Sequence, residues 1–358
     1  MSAANPLQEF YRGRAVLVTG HTGFKGGWLC AALKRLGARV TGLALAPDTD
    51  PNLFQAAAIG QGMESVLGDV RDLATVEKVM RERRPEIVFH NAAQPLVLRS
   101  YREPVETYAT NVMGTVHVLE AARRAESVRA VVVVTSDKCY DNRGLERGYR
   151  EDDPMGGHDP YSSSKGCAEL VTAAYRASFF AGEGRAAVAT ARAGNVIGGG
   201  DWAEDRIVPD MVRGITAGRP VVIRHPEAVR PWQHVLEPLR GYLMLGQRLC
   251  QDRRFAGGWN FGPGDDEAIT VRQLAEQMVA CWGAGRLEFA SGAEAPHEAA
   301  YLKLDSAKAR SELGWKPALT SAEALRWTVE WYRAYAGDPA AGPAVTATQL
   351  ERYLGLVA

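Results

Sequence analysis

Two groups of side chains in this sequence could move protons. The first is Tyr161 and Lys165, within Tyr161-Ser162-Ser163-Ser164-Lys165. Residues four apart share one face of a helix, so the lysine ammonium can lower the tyrosine pKa and make a phenolate base available. The second is Thr135-Ser136-Asp137-Lys138, which ends the apolar run Ala130-Val131-Val132-Val133-Val134. A run apolar on both faces is expected in the middle of a parallel sheet, and ligands of open α/β sheets gather at the carboxyl ends of the strands. Four polar residues there suit a reactive site, with loop capping as the alternative. Tyr-x-x-x-Lys by itself is frequent by chance. Here it opens a helix through Phe180, directly after a Pro-, Gly- and Asp-rich loop from Glu151 to Asp159. That order, one strand–loop unit downstream of Thr135-Ser136-Asp137-Lys138, is specific.

These residues need a scaffold. The strand Ala15 to Thr19 runs into Gly20-His21-Thr22-Gly23-Phe24-Lys25-Gly26, and an amphipathic segment, Trp28 to Leu36, follows at once. Glycines allow positive φ and close approach, and the N–H groups of a helix start favour a pyrophosphate. An ordinary strand–helix turn is the bland alternative. Gly20, Thr22, Gly23, Phe24, Lys25 and Gly26 are thus candidates for a dinucleotide cradle. A second strand, Ala38 to Leu45, ends at Ala46-Pro47-Asp48, where an acid would hold ribose hydroxyls and a base a 2′-phosphate. Asp48 fits that slot poorly and no Arg replaces it, so the reading only leans to NAD over NADP. Ser65-Val66-Leu67 leads into Gly68-Asp69-Val70. Asp69, with Val70 beside it, either holds an adenine amino group or caps the helix that starts near Leu73. The fourth strand, Glu86 to His90, is followed by Asn91, Ala92 and Ala93, small enough for a cofactor to pass closely; His90 reads as a packed strand-end residue. Pro104 to Ala125 is a helix with Asn111 inside it, where an Asn is solvated or opens the helix to a water or a lysine. Ala186 to Arg192 is the sixth strand.

The chain has 358 residues, enough for two lobes. Lys plus Arg number 42 and Asp plus Glu 42, which favours neither nucleic acid nor an anionic membrane as partner. No apolar run approaches the ~20 residues of a membrane span, and Met1 to Arg14 lacks a signal-peptide core. Cys30, Cys139, Cys167, Cys250 and Cys281 are scattered, which reads as reduced thiols of a cytoplasmic protein with no metal framework. The glycine-rich stretch Gly194 to Trp202 marks a lobe boundary near Val196. Beyond it come a helix over Ile207–Ala217, short strands at 221–223, 230–235 and 259–261, helices from Leu239, Thr270 and Leu304, and a tail after Gly337. The tail is expected to be loosely ordered except for a short helix at Gln349–Tyr353.

Taken together, Gly20-x-x-Gly23-x-x-Gly26, Asn91-Ala92-Ala93, Thr135-Ser136-Asp137-Lys138, Tyr161-x-x-x-Lys165 and Arg192-Ala193-Gly194-Asn195-Val196-Ile197-Gly198 resemble the extended short-chain dehydrogenase/reductases acting on nucleotide sugars. Within that superfamily, three strings resemble the CDP-glucose 4,6-dehydratases: Gly20 to Gly26, Ser136-Asp137-Lys138-Cys139-Tyr140, and Gly148-Tyr149-Arg150-Glu151-Asp152-Asp153-Pro154-Met155-Gly156-Gly157. Gly27, where Ser is expected, is a departure. The resemblance implies an α/β fold: a Rossmann-type doubly wound parallel sheet with a smaller, mixed C-terminal substrate-binding lobe. Residues 1–195, with a return segment near 231–265, would bind NAD; residues 196–230 and 266–358 would bind the sugar nucleotide. It implies oxidation at C4, elimination across C5 and C6, and hydride return to C6. Tyr161 would take the C4 hydroxyl proton, Lys165 would hold the nicotinamide ribose, and Ser136 would share the proton network. Lys138 would be the base at C5, which requires a neutral amine, and Asp137 the acid at the C6 hydroxyl. Asp69, Val70, Asn91, Ala92, Ala93 and Asn111 would join the cradle. Gln94, Asn195, Arg206, Arg230, His234 and His297 would meet the substrate, with Glu237 and Glu298 weaker candidates. His21 and Lys25, bulky and polar beside the pyrophosphate, would loosen NAD. A homodimer or homotetramer is expected, through Val112, Val116, Val171 and Tyr175. A dehydratase of another nucleotide hexose, a C4-epimerase and a non-catalytic dinucleotide-binding protein are the alternatives.

Overall fold

The computed structural model describes residues 5–264, 267–290 and 302–357. Its centre is a seven-stranded sheet: β1 (Ala15–Thr19), β2 (Arg39–Ala44), β3 (Glu64–Leu67), β4 (Ile87–His90), β5 (Ala130–Val134), β6 (Ala187–Ala193) and the strand Gly257–Phe261. The spatial order is Gly257–Phe261, β6, β5, β4, β1, β2, β3. All neighbouring pairs are parallel. Winding reverses between β1 and β4, so the connections leave those two strands toward opposite faces and open a crevice at their carboxyl ends.

Side chains alternate across a strand. Val16, Val18, Phe89 and Val132 therefore pack on one face with Trp28, Leu29 and Tyr242. Leu17, Val88, Val131 and Val133 pack on the other with Val76, Met80 and Val118. With both faces covered, β1, β4, β5 and β6 are buried at every position, which is why their sequences read as continuous apolar or small runs.

The helix Pro160–Phe179 begins where Asp159 accepts from the Ser162 N–H and Pro160 takes the first turn. The expected helix over 104–125 is present, with a π-turn at Ala109–Met113 at its middle. Helix Val271–Trp282 starts with a capping box of Thr270 and Gln273. The tail differs from expectation. Residues 342–356 are one helix, Gly342–Leu356, burying Thr346, Gln349, Leu350 and Tyr353. Its anchors are polar: Trp331 Nε1 donates to Thr346 Oγ1 at 2.8 Å and the Tyr353 hydroxyl to Glu237 Oε2 at 2.8 Å. Hydrophobic periodicity does not register such contacts. Among the described residues no helix is long and apolar enough to cross a membrane.

Candidate active site

Residues following each of β1 to β6 line one groove of about 1150 Å³. That exceeds the volume typical of a single small-ligand pocket. At one end stands the glycine turn. Gly20 has φ +76°, and a Cβ there would lie 2.8 Å from the Ala92 backbone. Gly23 opens the helix Phe24–Arg35, which has no side-chain cap, so its first N–H groups stay available to an anion. Gly20, Thr22, Gly23, Phe24 and Lys25 line the groove; Gly26 does not. A Cβ on Gly26 would sit 2.0 Å from the Gly20 carbonyl oxygen, so this glycine packs the helix onto the turn. A backbone cradle of this shape fits the pyrophosphate of a dinucleotide.

Asp69, Val70, Asn91, Ala92 and Ala93 line the same groove. The helix near Leu73 is capped by Asp72 instead of Asp69. Burial acts to raise the Asp69 pKa, but hydrogen bonds from Arg71 outweigh it and hold the carboxyl below its ordinary value. Asn111 is a correction: it lies away from the groove. Its Oδ1 accepts from the Gln94 N–H at 2.8 Å, and its Nδ2 donates to Gln94 O at 3.1 Å and Ser164 Oγ at 2.8 Å. It fastens the loop after β4 to the Tyr161 helix. His21 is corrected too: its ring fills the space left by Gly42, and its Nε2 pairs with Ser65 Oγ at 2.7 Å. It lies buried behind the strand ends instead of beside the cradle.

The reactive cluster occupies the other end. Ser136, Asp137, Lys138, Tyr161 and Lys165 all line the groove. Ser136 caps the short turn Asp137–Cys139 and donates to Asp137 Oδ1 at 2.8 Å. A Cβ on Gly194 would come 3.0 Å from Asp137 Oδ2, so this glycine makes room for the acid. Lys165 Nζ donates to the Val134 carbonyl at 3.3 Å, and burial pushes its pKa down to about 8, against the pull of Cys139 and Glu169. The expected depression of Tyr161 by Lys165 is not found. Burial pushes Tyr161 up to about 12, with the Ser136 hydroxyl and Arg206 opposing it. Lys25 was expected only at the cradle; its Nζ lies 5.9 Å from the Tyr242 ring centroid, under the influence of Lys165, Arg206 and Asp137. Burial, Lys165 and Arg206 bring it down to about 8, with Asp137 acting the other way.

Of the substrate candidates, Gln94, Asn195, Arg206 and Arg230 line the groove. Gln94 spends its amide inside the protein, on Leu96 and on Thr107 Oγ1 at 2.9 Å. Arg206 is held by Asp201 at 2.8 Å. His234 is a correction: it is fully buried between Trp28 and Trp327, edge to face with both, and does not reach the groove. Glu237 is buried as well, accepting from the Ala318 and Leu319 amides and from Tyr353. His297 and Glu298 lie outside the described residues.

Sequence reading missed the support beneath the cluster. Glu169 and Arg192 form a buried two-pronged pair at 2.9 and 2.8 Å. Thr135 and Thr190 hydroxyls donate to the same carboxylate, and Arg192 also reaches the Tyr140 hydroxyl. The signal was the repeat of four: Tyr161, Lys165 and Glu169 share one helix face.

Comparison with known proteins agrees with this geometry. The GDP-mannose 4,6 dehydratase family matches residues 17–328. A CDP-glucose 4,6-dehydratase of Salmonella typhimurium is 52% identical over 336 residues, which cover 92% of this chain and 93% of that protein. A solved structure of the dTDP-glucose 4,6-dehydratase DesIV from Streptomyces venezuelae, a double mutant with NAD and DAU bound, matches at TM-score 0.77 and 25% identity, covering 90% of this chain and 98% of that one. The UDP-glucose 4-epimerase of Thermus thermophilus, in complex with NAD, matches at TM-score 0.77 and 26% identity, covering 89% and 98%. With one family match running through most of its length and about half its residues shared with a full-length relative, the chain belongs to the GDP-mannose 4,6 dehydratase family, on the branch of the CDP-glucose 4,6-dehydratases.

Proposed function

We infer that this chain is an NAD-dependent CDP-glucose 4,6-dehydratase, a hydro-lyase that yields CDP-4-keto-6-deoxyglucose. The observation that carries the reading is the turn Ser136-Asp137-Lys138 set beside Tyr161 and Lys165 in one groove. Oxidation at C4 needs only the Tyr–Lys pair. Loss of water across C5 and C6 needs an acid and a base as well, and Asp137 and Lys138 stand ready for those two tasks. NAD bound on the Gly20–Lys25 cradle would supply the hydride acceptor for C4 and the hydride for C6. Tyr161 takes the C4 hydroxyl proton, and Lys165 orients the nicotinamide ribose. The C4 ketone acidifies the C5 proton, Lys138 removes it, and Asp137 protonates the departing C6 hydroxyl. A positioned acid or base is worth ~10²–10⁴ in rate.

Residues 1–195 with 231–265 serve as the NAD lobe, and 196–230 with 266–358 as the sugar-nucleotide lobe. Asn195, Arg206 and Arg230 face the diphosphate and nucleotide; arginine suits phosphate oxygens because its planar fork donates two parallel hydrogen bonds. The enzyme works in the cytoplasm as a homodimer or larger. Val112, Val116, Val171 and Tyr175 are half-buried, while Val105, Tyr108, Met113, Leu170 and Phe179 on the same two helices are exposed and offer more apolar surface to a second copy. A monomeric mass at micromolar concentration contradicts this assembly. Incubation with CDP-, GDP-, UDP- and dTDP-glucose tests the activity. A 4-keto-6-deoxy product from CDP-glucose is expected; a C4 epimer, or no product, sinks the reading.

A further inference from the structure

The dehydration inferred above has two halves, and the protein carries them on different supports. Tyr161 and Lys165, which serve oxidation at C4, stand on the helix Pro160–Phe179, whose own backbone hydrogen bonds fix their spacing. Asp137 and Lys138, which serve elimination, stand on the short turn Asp137–Cys139. That turn holds itself weakly. Its backbone hydrogen bonds, Cys139 N–H to Ser136 O at 3.2 Å and Tyr140 N–H to Asp137 O at 3.4 Å, lie at and beyond the long end of the usual range. Its shape must come from what grips its ends.

Both ends reach one buried ion pair. Before the turn, the Thr135 hydroxyl donates to Glu169 Oε1. After it, the Tyr140 hydroxyl accepts from Arg192 and donates to Asn260 Oδ1 at 2.8 Å. Glu169 and Arg192 hold each other at 2.9 and 2.8 Å. The Tyr140 ring is buried and stacks on Tyr149, centroids 5.2 Å apart, so packing fixes the ring as well as the hydroxyl. The surface loop that pairs with the turn is tied to the same place. Gly156 N–H donates to Cys139 O at 2.9 Å. Further back in that loop, Arg192 donates to Glu151 O at 3.1 Å and Asn260 Nδ2 to Tyr149 O at 2.8 Å. Tyr140, Glu169 and Arg192 do not line the groove, so they act on a substrate only through the residues they hold. Glu169 also bears on the Lys165 amine, one helical turn away. Removing the ion pair would therefore disturb oxidation too, whereas the two hydroxyls can be removed without touching it.

We propose that Tyr140 and Thr135 are positioning residues for the elimination half alone: tied to Glu169 and Arg192 from either end, they hold the turn so that Lys138 and Asp137 reach C5 and C6 together. The proposal rests on the dehydratase reading. Neither residue makes or breaks a bond. In the step they govern, Lys138 takes the C5 proton, the C5–H electron pair forms the C5–C6 double bond, and the C6–O bond breaks as its oxygen takes a proton from Asp137 and leaves as water. A misplacement of about 1 Å can cost ~10²-fold in rate, while oxidation at C4 proceeds on its helix.

The test is a single turnover of the NAD-loaded enzyme with CDP-glucose, followed by NADH absorbance and by analysis of the quenched sugar. Tyr140→Phe deletes one oxygen and keeps the ring. It should form NADH at the wild-type rate and then stall. Decay of NADH should slow ~10- to 10²-fold, and a 4-keto hexose that keeps its C6 hydroxyl should accumulate. Thr135→Val should show the same split, and it carries the test should Tyr140→Phe lose the fold. Thr135→Ser, which keeps the hydroxyl, should restore wild-type decay. The double variant Thr135→Val/Tyr140→Phe should be slowed by less than the product of the two single effects, because releasing one end already frees the turn. Variants that slow NADH formation and decay alike overturn the proposal and mark the hydroxyls as general supports. So does wild-type decay in both single variants, and so do effects that simply multiply, which would show two separate ties. These failures leave wild-type product formation intact; a wild type that makes no 4-keto-6-deoxy product overturns the dehydratase reading and the proposal with it.

Discussion

His90 makes the protein acid-sensitive at the cofactor cradle. It ends β4, fully desolvated, with both ring nitrogens engaged: Nδ1 with Thr19 Oγ1 at 2.8 Å and Nε2 with Thr115 Oγ1 at 3.1 Å. Thr115 gives its hydrogen to Asn111 O at 2.7 Å, so Nε2 must carry the ring proton. Thr19 Oγ1 accepts from the Asn91 and Ala92 amides at 3.2 Å each, so its own hydrogen goes to Nδ1. A second proton on the ring has no acceptor unless Thr19 turns and releases those amides. Burial, with Lys165 adding to it, accordingly pushes the pKa down to about 3. The unfolded value is about 6.5, so the unfolded chain binds the extra proton between those limits. Stability is complete above pH ~6.5 and falls as pH falls. At about 1.4 kcal/mol per unit, acidifying from pH 7 to pH 5 costs roughly 2 kcal/mol through His90 alone, a large share of a typical 5–15 kcal/mol. Urea unfolding at pH 7, 6 and 5 measures it. His90→Gln should be less sensitive to acid than wild type by that amount, whatever its stability at pH 7. Parallel pH slopes for the two proteins would refute the argument.

Three further outcomes are expected. Lys138→Ala should accumulate bound NADH and a 4-keto hexose that keeps its C6 hydroxyl, whereas Tyr161→Phe should give no NADH signal; turnover of Lys138→Ala within a few-fold of wild type removes Lys138 as the base. Gly26→Ala places a methyl 2.0 Å from the Gly20 carbonyl and forces β1 and the helix Phe24–Arg35 apart, so calorimetry should detect no NAD binding, and wild-type affinity contradicts the packing role. Glu169→Ala strands the buried Arg192 guanidinium and should cost about 3–5 kcal/mol in unfolding free energy; a change under about 1 kcal/mol would show that the pair contributes little.

The sheet, the glycine cradle and the Tyr161–Lys165 pair were legible because each rests on local rules: apolar runs, positive-φ turns and helical spacing. Asp137 and Lys138 were legible as a pair because they follow a central strand directly. What the sequence could not decide was direction and burial. His234 and Glu237 are polar and titratable like Arg230, yet the chain folds two of the three into the core and one onto the groove, a choice made by packing against Trp28, Trp327 and Tyr353. Spacing put Lys165 beside Tyr161 and suggested a phenolate, but burial of the tyrosine outweighs its cations, since desolvation depends on every element closing over the site. Asn111 and Gln94 lie seventeen residues apart, and only the fold brings them together. Motifs set out which residues could do the chemistry; tertiary packing set their burial, their partners and which way they face.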